Sequence, residues 1–217
     1  MTNITAIVVG ATGATGKQLV AQLLENSNVA TVKIFIRKQI SLSHPKLEIY
    51  VVNFDVIDTW QHLLAGNVLF SVLGTTLKQA GSKVNQYKVD VTYQHNIAKA
   101  ALGNGISTIV LLSAFGANPS SIFFYPKMKG VLEALLKNLP LVSLHIFQPG
   151  ILERFANDER LLEKLSVKLL QWLNGFDILL SQAPIPVALL AAKMIKVGIR
   201  DNVEKLRYYR LNAILEV

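Results

Sequence analysis

Apolar residues in this chain fall into two alternating arrangements: short, mostly near-continuous runs and longer stretches with a helical repeat. The short runs are Ile4–Val9, Val32–Ile36, Leu47–Asn53, Val68–Leu73, Thr108–Leu112 and Leu141–Phe147. Each has a strand's length, and most are near-continuously apolar, as strands buried on both faces of a sheet are. Between them, Lys17–Leu24 sets Leu19, Val20, Leu23 and Leu24 on one side of a helix. Asn85–Leu102 is a long helical stretch, and Pro126–Lys137 another, with Pro126 tolerable in a first turn. Alternating strands and helices predict an α/β fold with a doubly wound parallel sheet and helices on both faces. Residues from about 151 to 217 look mainly helical. They predict a small C-terminal substrate cap on one domain that spans 1–217.

Composition narrows the class. Half of the residues are hydrophobic and 17% are charged, as in a compact domain. With no cysteine, the chain has no disulfide, thiolate metal site or cysteine nucleophile. It shows no basic leader followed by a long apolar stretch. No apolar run approaches the roughly 18 residues that span a membrane. The expected location is cytoplasmic. His44, His62, His95 and His145 lack metal-ligand spacing. The net charge is +8, but basic residues are scattered, which argues against nucleic acid and leaves an anionic cofactor open.

The chemistry begins at GATGATG, Gly10–Gly16, between the first strand and the first helix. Glycines there allow a tight turn, a close backbone approach to a pyrophosphate, and tight packing of helix on strand. Phosphate oxygens would meet free amides at the positive end of the helix. After the second strand come Arg37 and Lys38, where an acid would hold a ribose 2′-hydroxyl. A guanidinium there pairs with a 2′-phosphate instead, so the charge choice points to NADPH. Asp55, after the third strand, is placed to accept from the adenine amino group. Gly74, after the fourth, lets backbone lie against the cofactor beside the hydroxyls of Thr75 and Thr76.

The fifth strand ends in LLSAFGANPSSIFFYPKMKG. Ser113 stands at the edge of the sheet where ligands of open α/β folds bind. Tyr125 and Lys129 follow with the spacing of neighbours on one helical face. An ammonium beside a phenol favours phenolate, so Tyr125 can act as the general acid for carbonyl reduction. Ser113 would polarise and orient the carbonyl. Because Pro126 disfavours helix at the preceding residue, Tyr125 is expected at the helix mouth. Phe123, Phe124, Phe147 and Phe155 suit an apolar pocket or the core equally well.

GATGATG, IRK, LGTT, LLSAFGA, SSIFFYPKMKG and QPG together resemble an atypical short-chain dehydrogenase/reductase with a Rossmann-like NAD(P)-binding fold. The resemblance is to the small branch typified by the human Tat-interacting oxidoreductase and its fungal and bacterial relatives. It implies NADPH binding by Gly10, Thr12, Gly13, Ala14, Thr15, Gly16, Arg37 and Lys38, with Asp55, Leu73, Gly74 and Thr75 also lining the cofactor. It implies catalytic roles for Ser113, Tyr125 and Lys129, and a small-molecule carbonyl substrate. An NADP(H)-binding regulator with little turnover is the alternative. A sugar-nucleotide epimerase would need a longer C-terminal domain. The expected partners are the substrate and either a second copy or a regulatory protein.

Overall fold

The computed structural model describes residues 3–150, 152, 184–200 and 205–217. Its centre is one seven-stranded sheet: β1 (Ile4–Val9), β2 (Val29–Ile36), β3 (Leu47–Val51), β4 (Val68–Ser71), β5 (Thr108–Leu112), β6 (Ser143–Gln148) and β7 (Arg207–Arg210). The strands lie in the order β3-β2-β1-β4-β5-β6-β7, and every pair is parallel. The order reverses at β1 and β4. Such a switch point opens a crevice at the C-terminal ends of the strands.

Helices cover both faces. On one side, α1 (Ala14–Glu25) buries Leu19, Val20, Leu23 and Leu24, the stripe expected from its apolar spacing. On the other lie α2 (Leu77–Ala80), α3 (Lys83–Tyr87), a π-turn (Lys88–Tyr93), α4 (Gln94–Gly103) and α5 (Phe124–Lys137). The long helix expected at Asn85–Leu102 is thus one helical run with a widened middle. Helix α5 begins at Phe124, two residues before Pro126, so Tyr125 stands in its first turn. There proline's missing N–H costs nothing, because first-turn amides lack helical acceptors anyway.

Part of the stretch expected to form a cap is described. Helix α6 (Val187–Gly198) buries Leu190, Ala191, Met194 and Val197 in the core cluster that also holds α1. Gln22 Nε2 of α1 donates to the Ala188 carbonyl of α6 at 2.9 Å. Strand β7 is a seventh member of the sheet, and its Tyr209 stacks on Phe147 with ring centroids 4.4 Å apart. These elements build the core because their apolar stripe matches the uncovered sheet face beside α1. Phe147 is core, whereas Phe155 and the rest of 153–183 lie outside the described residues.

Close packing of α6 depends on Gly198. A Cβ there would meet the Phe70 ring at 2.7 Å and Val110 at 2.9 Å. Gly198→Ala is expected to destabilise the fold by about 1–3 kcal/mol through overpacking. Urea unfolding checks this; an unchanged midpoint would show that α6 can move away from the sheet freely.

Candidate functional site

The glycine loop shows which of its glycines the fold itself demands. Gly10 has φ +89°, and a Cβ there would sit 2.5 Å from the Val72 backbone. A Cβ on Gly16 would fall 2.1 Å from the Gly10 carbonyl oxygen. Gly13 differs: its φ is −75°, and a Cβ would meet only the Gly10 oxygen at 3.3 Å. Gly74 likewise meets only Asp90 Oδ1, at 3.4 Å. The fold needs Gly10 and Gly16, whereas at Gly13 and Gly74, both exposed, a Cβ would meet a single neighbouring oxygen. Gly13 is the N-cap of α1, no side chain caps the helix, and its first turn holds no acid. The amides of Ala14, Thr15 and Gly16 therefore open at the positive end of a helix dipole. Thr12 is exposed there, and Thr15 is buried.

Arg37 and Lys38 follow directly on β2 and are exposed. They have no ion-pair or hydrogen-bond partner among the described residues. Asp55 is placed otherwise. Its Oδ1 lies 2.5 Å from Lys88 Nζ and accepts from the Tyr93 hydroxyl at 2.5 Å. The Lys88 ammonium and the Tyr93 hydroxyl hold its carboxyl below the usual range. Asp55 thus joins the turn after β3 to the π-turn, and an adenine amino group would have to share it.

Lys129 lies at the heart of the site. It is buried, and its ammonium is 3.0 Å from Asp90 Oδ1, itself buried in the π-turn. Burial alone would push that ammonium's pKa down. The Asp90 charge, helped by Tyr125 and Glu133, more than offsets this and holds it above the usual lysine value. Asp90 Oδ2 also accepts from the Thr75 amide at 2.9 Å. One carboxylate thus ties the LGTT turn to the lysine. Lys129 Nζ stands 5.9 Å from the centroid of the half-exposed Tyr125 ring. Next to Lys129, Gly130 lets α5 close on the Asn118–Pro119 backbone, where a Cβ would come within 2.3 Å.

Ser113 is brought to the edge of the sheet but turned under α5. With Ile109 and Leu111 it shares the face of β5 that α5 covers. It is buried, and it donates its hydroxyl proton to Glu133 of α5. Glu133 also accepts from Gln148 Nε2 at 2.8 Å, and Gln148 Oε1 accepts from Arg210 Nε at 2.7 Å. The hydroxyl assigned to the substrate carbonyl is thus engaged within the protein. Neither Asp90 nor Glu133 stands out in sequence; the only hint is an acid set in an otherwise apolar helical face.

Comparison with known proteins gives the family and the fold. The model of a family described as NAD(P)H-binding matches residues 10–139. The mitochondrial protein fmp52 of Aspergillus fumigatus is 33% identical over 160 residues, 70% of this chain and 68% of that protein. Protein HTATIP2 of Rattus norvegicus is 30% identical over 187 residues, 82% of this chain and 77% of that protein. Among solved structures, the oxidoreductase ylbE of Lactococcus lactis is similar with a TM-score of 0.67 at 19% identity, covering 94% of this chain and 90% of that one. The relatives correct the expected cytoplasmic location, since those from Aspergillus fumigatus and Eremothecium gossypii are named mitochondrial. That expectation rested on missing targeting patterns, and such an absence excludes no organelle.

Glu133 yields a pH prediction. Burial pushes its carboxyl above the usual range, against the hydrogen bonds from Ser113 and Gln148. The folded state then holds this proton more tightly than the unfolded chain does. Stability contributed by the group is present at low pH and lost as pH rises from about 4.3 through the folded-state value. Glu133→Gln is expected to flatten this part of the stability–pH curve, read from urea midpoints between about pH 4 and 8. Parallel curves for the two proteins would reject it.

Proposed function

The chain belongs to the NAD(P)H-binding family, and we propose that it is an NADPH-dependent oxidoreductase that reduces a small carbonyl substrate. One observation carries this reading: a buried ammonium, Lys129, pinned by Asp90 beside the half-exposed phenol of Tyr125 at the ligand-binding edge of the sheet.

The residues present fit a dinucleotide. Gly13 and Gly74 offer exposed backbone with no side chain over it. The uncapped first turn of α1 offers donors to a pyrophosphate. Arg37 and Lys38, without an ion-pair or hydrogen-bond partner among the described residues, are suited to a 2′-phosphate. Leu73 and Thr75 flank Gly74 on the same turn. When bound, NADPH supplies the hydride.

The protein's part is to position and to protonate. Tyr125 gives its hydroxyl proton to the carbonyl oxygen as negative charge develops there. The charge of Lys129 stands fixed beside that ring as the proton leaves. Asp90 keeps that charge in place without letting the ammonium swing toward solvent. Ser113 acts through Glu133, holding the end of β5 under α5, so it is a positioning residue in this reading.

The engaged Ser113 hydroxyl favours a second reading, a sensor that binds NADP(H) and turns over little or nothing. Two measurements separate the readings. Calorimetric titration is expected to show NADPH binding more tightly than NADH. Arg37→Ala should weaken NADPH by about tenfold to a hundredfold and leave NADH unchanged, as loss of hydrogen bonds to a charged group predicts. Equal affinity for the two nucleotides in wild type would overturn the NADPH assignment. In a carbonyl screen, Tyr125→Phe is expected to lower kcat by about 10²–10⁴ with NADPH affinity retained. Full turnover in that variant would remove Tyr125 as the acid. NADPH binding without turnover of any carbonyl would favour the sensor.

A further inference from the structure

Arg210 is the last residue of β7, so it stands at the C-terminal edge of the sheet, the edge that also carries Ser113 and the first turn of α5. Gln148, the last residue of β6, is its partner in register, and both side chains lie on the face that α5 covers. The guanidinium is exposed, yet it is held. Its Nε donates to Gln148 Oε1 at 2.7 Å, and its central carbon lies 4.7 Å from the centroid of the Tyr208 ring. Gln148 is itself buried and fixed by its bond to Glu133. No ion pair neutralises the cation among the described residues. The acid on this face is Glu133, and the Gln148 amide stands between it and Arg210. Nε is one donor of a planar fork, and the terminal nitrogens of that fork have no hydrogen-bond partner among the described residues.

The backbone around Arg210 is fixed as well. Leu211 has φ +48°, a left-handed conformation that is unusual for a bulky side chain. A Cβ on Gly150 would come within 3.2 Å of Leu211 Cδ2, so the turn after β6 packs closely on the turn after β7. Phe115 N donates to the Pro149 carbonyl at 3.0 Å and ties the end of β5 to the same turn. Strain of this kind persists where the surroundings over-determine it, and it clusters at ligand sites. A guanidinium oriented in advance loses little freedom on meeting an anion, and its fork matches two oxygens side by side.

We propose that Arg210 receives an oxyanion of the substrate, a carboxylate or a phosphate, and so selects carbonyl compounds that carry a negative group. This rests on the reductase reading, in which Tyr125 addresses the carbonyl while Arg210 addresses the other end of the same molecule. Strands β5 and β7 are two strand spacings apart, about 10 Å, so the anion stands several bonds from the carbonyl.

The test is labelling of arginines in the full chain by phenylglyoxal, read residue by residue by mass spectrometry, with inorganic phosphate, with 2-oxoglutarate, and with chloride at matched ionic strength. An anion at about ten times its dissociation constant is expected to slow labelling of Arg210 about tenfold. Arg207, exposed at the other end of β7, is expected to label as it does in chloride. Stronger protection by phosphate assigns a phosphate-bearing substrate, and stronger protection by 2-oxoglutarate a carboxylate-bearing one. NADPH is expected to protect Arg37 in the same experiment, so a failure of the cofactor reading shows at Arg37 and a failure of this proposal at Arg210. For a carbonyl substrate found by screening, Arg210→Gln is expected to raise KM about tenfold to a hundredfold, with NADPH affinity retained as the check on folding. Labelling of Arg210 that neither anion slows beyond that of Arg207, or an unchanged KM in Arg210→Gln, would overturn the proposal.

Discussion

A carboxylate and an ammonium, 3.0 Å apart and both removed from water, hold the middle of this protein together. Removing two charges from water is costly, and their attraction repays the cost only where the remaining hydrogen-bonding capacity is met. Here it is met on the carboxylate side. Asp90 takes the Thr75 amide on its second oxygen, and its backbone carbonyl accepts from Gln94 Nε2 at 2.7 Å. Gln94 in turn accepts from the Ser71 hydroxyl at the end of β4. A continuous chain of polar contacts thus runs from the sheet through the π-turn to α5. The extra residue in the π-turn accounts for Asp90's place in it. A widened turn re-aims a side chain and frees backbone groups, and such turns cluster at functional sites.

Helix α5 carries a second buried polar group one turn beyond the first. Lys129 and Glu133 stand four apart with opposite charge, the spacing at which side chains on a helix face each other. Lys129 is bound toward the helical run on its flank, and Glu133 toward β5 and β6 through Ser113 and Gln148. The helix is fixed by directional contacts as well as by the apolar residues Met128, Leu132 and Leu136 beneath it. That rigidity bears on chemistry, because a general acid in the first turn of α5 is only as well placed as the helix that carries it.

The strands and the glycine loop were legible in the sequence because they depend on local signals. Near-continuous apolar runs place β1 to β6 within a few residues, and Gly10 and Gly16 fall where the turn after β1 demands glycine. What escaped depends on contacts between distant segments. Strand β7 is only four residues long, with charged ends, so nothing in its own pattern marks it as part of the sheet. Helix α6 reads as an apolar stripe, but the surface that stripe covers is set by Phe70 and Val110, far away in the chain. Ser113 was placed correctly in sequence, and its partner was not foreseen. Strand parity turns its side chain under α5, where only the folded structure reveals Glu133. Asp90 was hidden for the same reason, its meaning residing in Lys129.

The surface charge and the site have a common logic. Ligands of an open α/β sheet enter at the C-terminal ends of its strands, where helix N-termini already present positive potential. This chain adds the exposed Arg37 and Lys38 on that side, directly after β2. A dinucleotide would use the open amides of α1 and these cations. The Asp90–Lys129 pair is buried apart from them, so an anion held at α1 and β2 leaves the ammonium in place beside Tyr125.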